Sequence, residues 1–216
     1  MRMLVALVVA GAVSAAAMPG GAAARPAEPA AVPPPPCVAL ATPAIAVDNG
    51  SYTPAHQTLG AAHGLGGKQT WFWLSGASAS VTYTGKLKLF DSGIRSSGAT
   101  FSHTFRSAGT YRFHSTNDAT QKGSIVVPLC NVPRSARVGH PVWVQTSNRS
   151  LTTHAEDVQV RRPGSTHWKW LKTGFRGIEF SWKPGSAGTY RLRARLRDRS
   201  TNAVSRFSPI STVKVS

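Results

Sequence analysis

Four arginines at alternate positions, Arg191, Arg193, Arg195 and Arg197, are separated by Leu192, Ala194 and Leu196. In an extended strand successive side chains leave on opposite faces, so this spacing lines four guanidiniums along a row roughly 20 Å long, with the apolar residues behind them. A guanidinium grips a carboxylate or phosphate through two parallel N–H bonds, and such a row matches a linear polyanion. Arg161, Lys169 and Lys172 are placed to extend it on neighbouring strands. The chain holds 25 Lys and Arg against 8 Asp and Glu, a net charge of +17. Residues 131–216 carry 16 of those cations and 4 of the acids, hence +12 of the total. Two readings stand. In one, the row binds an anionic partner: cell-wall polymer, acidic glycan, lipid head groups or nucleic acid, the last without any recognition motif. In the other, it is a solvated sheet face that keeps the protein in solution.

Aromatic residues offer a second kind of chemistry. Within Gln69 to Leu74, Trp71 and Trp73 share one face of a strand and Phe72 and Leu74 the other. Two outward indoles about 7 Å apart would stack on a sugar or aromatic ligand; turned inward, or covered by another domain, they are packing residues. Catalytic constellations are missing from the sequence. It has no G-x-S-x-G elbow and no H-E-x-x-H pair, and Glu156 and Asp157, being adjacent, fall on opposite strand faces. The expectation is a protein that is not an enzyme and needs no cofactor.

Arg2 followed by the apolar run Met3 to Val13 and small-residue cleavage candidates reads as a targeting segment over residues 1–24. The apolar run is too short to span a bilayer, and no second one follows. Export would place the chain in an oxidising compartment, where its two cysteines, Cys37 and Cys130, are expected to pair. Closing that loop stabilises by up to about 4.5 kcal/mol on the chain-entropy account. Residues 25–36, RPAEPAAVPPPP, form an extended leader with nothing to build a core.

The elements that must position these groups are β-strands. Phe101, His103 and Phe105 alternate with Ser102 and Thr104, and Tyr111, Phe113 and Ser115 with Arg112 and His114. Each run reads as a half-buried strand, with Ser107-Ala108-Gly109 as a tight antiparallel corner between them and residues 117–123 as a loop before a strand at 124–127. Lys86 and Lys88, flanking Leu87 and Leu89, read as one more strand with a solvated side.

Phe90-Asp91-Ser92-Gly93, the aromatic run to Phe105, and Gly109-Thr110-Tyr111 with Phe113, Ser115, Asp118, Gln121 and Gly123 beyond it together resemble the copper loop of the cupredoxins, the plastocyanin and azurin family. That likeness implies a Greek-key antiparallel sandwich over residues 37–130, stapled by Cys37 and Cys130. It implies the fold without the metal. The cysteine position holds Ser115, the following histidine position Asp118 and the axial methionine position Gln121. Matched without gaps from Gly67, the upstream histidine position holds Ser80 and the buried tryptophan position Phe72, which turns Trp71 and Trp73 outward; a shift of one residue makes them core. Type 1 copper requires a soft thiolate and imidazoles, and neither remains. His56, His63, His103 and His114 leave open the alternative of a copper-binding or electron-transfer protein with a non-standard site.

From Asn131 onward a fresh series of strands separated by turns at 162–165 and 184–188 resembles a fibronectin type III or immunoglobulin-like sandwich over residues 131–216. Such a fold hosts unrelated functions. The sequence thus predicts an all-β, two-sandwich, exported binding or structural protein with a basic second half. It carries no signal for oligomeric state.

Overall fold

The computed structural model describes residues 44–59 and 65–216. The targeting segment, the leader, His63 and Cys37 lie outside the described residues. Among the described residues no helix is long and apolar enough to cross a membrane.

The first half runs β1 (Ile45–Asp48), β2 (Ser51–Thr53), β3 (His56–Thr58), β4 (Gly67–Trp73), β5 (Ser78–Ala79), β6 (Thr82–Tyr83), β7 (Arg95–Ser96), β8 (Thr100–Phe105), β9 (Gly109–His114) and β10 (Lys122–Val127). These form two four-stranded sheets, ordered β2-β1-β4-β8 and β3-β10-β9-β6. Neither sheet is purely antiparallel, as the sequence led one to expect: β1 runs parallel to β4, and β3 to β10. Nor do β8 and β9 pair with each other. β8 pairs with β4, and β9 with β10 and β6, so residues 106–108 carry the chain from one sheet to the other. Residues 85–89 are a turn rather than a strand: Gly85 and Lys88 take positive φ values of 145° and 46°, and for a side-chain-bearing residue such as Lys88 that lies outside the extended region.

Between the sheets lies an aromatic core around Trp71, which is 0% exposed. Its ring sits 5.5 to 5.9 Å from those of Phe90, Phe101 and Phe113. Trp73 is also buried and donates its indole N–H to the Ala79 carbonyl at 3.0 Å. Phe72, at 36% exposure, faces out. The ungapped register is therefore one residue off in this strand, and the outward ligand platform at Trp71 and Trp73 is overturned. The reason is size: two indoles turned inward bury far more apolar area than Phe72 and Leu74 would.

The second half comprises β11 (Ser135–Ala136), β12 (Val142–Gln145), β13 (His154–Arg161), β14 (Lys169–Phe175), β15 (Glu179–Trp182), β16 (Gly188–Asp198) and β17 (Ser211–Val215). Five of these make the sheet β11-β17-β16-β13-β14, and β12 pairs with β15 opposite it. Val158, Val160, Leu192, Ala194, Leu196 and Val213 fill the interior. The turn at Pro163-Gly164, with Gly164 at φ 70°, separates β13 from β14.

One hexapeptide, Ser-Ala-Gly-Thr-Tyr-Arg, occurs in both halves, at residues 107–112 and 186–191. Each copy makes the same bond. The Tyr111 hydroxyl donates to the Ser107 carbonyl at 2.7 Å, and the Tyr190 hydroxyl to the Ser186 carbonyl at 3.0 Å. A buried tyrosine that satisfies its hydroxyl four residues upstream locks the corner leading into its strand.

The first copy also docks onto the second half. Ala108 N–H donates to the Thr146 carbonyl at 2.8 Å, Asn148 N–H to the Arg106 carbonyl at 3.0 Å and Thr110 N–H to the Arg206 carbonyl at 3.0 Å. The Thr110 hydroxyl donates to the Phe207 carbonyl at 2.9 Å. The contact between the halves is thus made in part by backbone hydrogen bonds, which are directional and fix orientation.

Candidate functional site

Two places had chemistry assigned from sequence: the end of the first sandwich where copper donors would sit, and the outer face of the second.

At the first, folding does bring the predicted positions together. Ser80 N–H donates to the Ser115 hydroxyl at 3.1 Å, and that hydroxyl donates in turn to the Asn117 side chain. The Ser80 hydroxyl accepts from Thr116 N–H at 2.8 Å and lies 2.9 Å from the Thr82 hydroxyl. Gln121 reaches back to donate to the carbonyls of Ser51 at 2.7 Å and Asp48 at 3.1 Å. Asp118, at the rim, accepts from both the hydroxyl and the amide of Thr120, which hold its carboxyl below the usual range. The Tyr52 hydroxyl donates to the Ser80 carbonyl, and burial pushes its ionisation well up. Ser80, Ser115 and Gln121 are all buried. Hydroxyl and amide oxygens already committed to hydrogen bonds are hard, neutral donors, a set that does not fit copper. Among the described residues no cluster of three or more His, Cys, Asp and Glu could hold a metal ion.

The histidines are engaged elsewhere. His114 points to the opposite side from Ser115, its Nδ1 2.8 Å from the Thr84 hydroxyl. His56 pairs through Nδ1 with the Ser124 hydroxyl at 2.9 Å. His103 packs between the rings of Phe90 and Phe105, with centroids 4.7 and 4.8 Å away. Cys130 is buried beside β12; the expected bond to Cys37 has its other end outside the described residues.

On the second sandwich the arginine alternation is as drawn from the sequence. Leu192, Ala194 and Leu196 are buried, while Arg191 is exposed and Arg193, Arg195 and Arg197 are half-buried. What the sequence did not show is what the guanidiniums touch. Arg193 lies between two rings, 4.0 Å over Trp168 and 4.1 Å over Phe207, and donates twice to the Gln159 side chain at 2.8 and 3.0 Å. Arg195 sits 5.0 Å from Phe207 and 5.2 Å from Trp170. Arg161 also lies over Trp168, at 5.3 Å. The face is a ladder in which Arg161, Trp168, Arg193, Phe207, Arg195 and Trp170 alternate cation and ring. Asp157, paired across the sheet, binds Arg197 at 2.7 Å and Arg195 at 3.5 Å. Burial and the neighbouring charges of Arg161 and Arg195 lower the ionisation of Arg193. Lys172 leaves the row and lies over Phe180.

Stacking between guanidinium and ring spends the faces of both groups but leaves N–H edges and the outer ring surface free. Trp170 remains 49% exposed. The rings come from residues up to 25 positions away in the chain from their arginines. Trp168 and Trp170 already show the alternation of an outward pair in the sequence; it is Phe207, outside any strand, that no local pattern could have assigned.

Strand order and motif together make the first sandwich cupredoxin-like and the second fibronectin III-like. No family model and no curated protein matches the chain. Among solved structures, a reduced Cu(I) form of an amicyanin variant is similar over 42% of this chain and 85% of its own, at 20% identity and a TM-score of 0.36. The fibronectin(III)-like modules of Clostridium thermocellum CbhA align with 79% of this chain and 89% of theirs, at 11% identity and a TM-score of 0.26. A copper-containing nitrite reductase from Thermus scotoductus aligns with 80% of this chain and 61% of its own, at 12% identity and a TM-score of 0.26. These likenesses concern β-sheet arrangement and say nothing of ligand or activity.

Proposed function

We propose that this is an exported, non-catalytic binding protein whose second sandwich engages an acidic polysaccharide through the arginine–aromatic ladder. One observation carries the reading: exposed indole surface and guanidinium edges alternate on a single sheet face. A pyranose ring has an apolar face that stacks on an indole, and a uronate carboxylate accepts two parallel N–H bonds from an arginine. A plain phosphate polymer would use the cations and leave the rings idle. The first sandwich serves as a support, its corner at Thr110 holding Phe207 in the ladder. The Cys37–Cys130 bond belongs to the same proposal, as a staple suited to an exported chain.

Adsorption of the purified protein to polygalacturonate tests it. Binding is expected to be salt-sensitive, to be absent on neutral dextran, and to weaken about tenfold in Trp170→Ala and in Arg191→Ser with the melting temperature kept. Equal retention on dextran, or no loss in either variant, overturns the reading. Titration with Cu(II) is expected to give neither an intense visible thiolate band nor tight stoichiometric binding; either result would restore the copper alternative.

A further inference from the structure

The seam between the sandwiches holds an opening of about 420 Å³ whose lining includes none of the ladder residues and none of the serine, aspartate and glutamine positions of the first sandwich's end. Its walls are of four kinds. Arg106 from the first half and Arg149 from the second both line it; both are exposed, and neither makes an ion pair among the described residues. Leu89, Leu151 and Leu196 supply apolar surface, and Ser150, Thr152 and Thr153 supply hydroxyls along one side. His103 completes the wall as a neutral ring, since burial and the nearby Arg106 charge lower its ionisation to about 4.

Beneath this opening lies an unresolved polar demand. Glu156 is 0% exposed; its carboxyl oxygens make no hydrogen bond of good geometry, and the Ser107 side chain is the hydrogen-bonding group beside them. Ser107 and Tyr111 are its neighbours in the first half, and Leu196 is its partner across the sheet; all three also line the opening. Thr146 Oγ1 and Asn148 Oδ1, on the same seam, are buried without partners. Buried polar groups are nearly always satisfied in a finished fold; these three do not line the opening themselves, but Ser107, Tyr111 and Leu196 connect Glu156 to the wall of the opening. Its volume falls in the range of small-molecule sites, which favour such domain junctions.

We infer that this cleft binds a small hydroxylated carboxylate, the size of one or two uronic-acid rings, with Arg106 and Arg149 meeting the carboxylate, the leucines the apolar ring face and the seam's polar groups the hydroxyls. The shared chemistry could be presented by a free sugar acid or by the end of an acidic chain. Neither source depends on the outer ladder.

Calorimetric titration of the full chain with digalacturonic acid decides it, with a neutral disaccharide and inorganic phosphate as separate arms. Saturable binding of the acid, none of the neutral sugar, and a loss of about tenfold or more in the Arg106→Gln, Arg149→Gln double variant are expected. Trp170→Ala, which breaks the ladder, is expected to leave this binding within twofold. Binding of digalacturonate that exceeds that of a long polygalacturonate per chain end identifies the free acid as the source; equal binding per chain end identifies the polymer terminus. Absence of saturable binding, equal binding of the neutral sugar, displacement by phosphate at equal concentration, or an unchanged double variant with a native melting temperature would each overturn the inference.

Discussion

The two polar interiors of this protein are built on opposite terms. At the end of the first sandwich, Ser80, Ser115, Asn117 and Gln121 satisfy one another and the nearby backbone, and the cluster is closed. At the seam, Thr146 and Asn148 keep buried oxygens without partners and Glu156 has only the Ser107 side chain beside it, next to a cavity that Ser107 and Tyr111 help to wall. A satisfied buried network stabilises and specifies a fold, whereas an unsatisfied one costs stability unless a ligand or water completes it. By that criterion the place that looks like a metal site is structural, and the place with no motif at all is the one prepared to bind.

The sharpest way to test the contrast is through His103, on the wall of the seam. Its folded ionisation lies at about 4 against an ordinary value of 6.5, so folding disfavours the charged ring. The stabilising contribution is complete above pH 6.5 and is lost as pH falls toward 4, a change of up to roughly 3 kcal/mol. Urea denaturation at pH 7.5 and pH 4 should show this loss in the native protein, and His103→Phe should remove most of it. A variant with the same acid slope would show that the ring is not held neutral by the seam.

A smaller effect is expected at the closed end. Gln121→Ala strands the Asp48 and Ser51 carbonyls and should destabilise by about 2 kcal/mol without altering adsorption to polygalacturonate or titration with digalacturonate. If binding fell while stability held, the closed cluster would be a site after all.

The most specific prediction concerns Glu156. Burial raises its ionisation well above the usual range, so the folded state holds the proton longer than the unfolded one. Stability is then greatest below about pH 4.5 as far as this group is concerned, and declines as pH rises toward its folded value. Glu156→Gln should flatten that decline, seen as a smaller fall in melting temperature between pH 5 and pH 8. An unchanged pH dependence would mean that Glu156 is already compensated.

Strand identity was largely readable in the sequence. The alternations at 101–105 and 191–197 are long enough that only one face can be apolar, and both emerge as read. Faces proved harder in the aromatic run: with Trp71, Phe72, Trp73 and Leu74 all apolar, a slip of one residue costs nothing locally, and only the room inside the sandwich chooses the indoles. At Gly85–Lys88 the alternation of lysine and leucine mimics a strand, while the positive φ that a glycine permits makes a turn. The repeated Ser-Ala-Gly-Thr-Tyr-Arg was present in plain sight, yet its meaning rests on a hydroxyl closing back four residues and, in the first copy, on a neighbouring domain to dock against.

Taken alone, the order of residues determined that this chain is β throughout, that its second half is strongly basic, and that serine, aspartate and glutamine stand where a soft metal would demand sulfur and imidazole. These are properties of composition, period and donor chemistry, each contained within a few consecutive residues. Only the tertiary structure decided that the arginines are interleaved with Trp168, Trp170 and Phe207, and that the two halves meet around Glu156. Those contacts join residues tens of positions apart, and their energies depend on which groups are left without water, a quantity that no local pattern encodes.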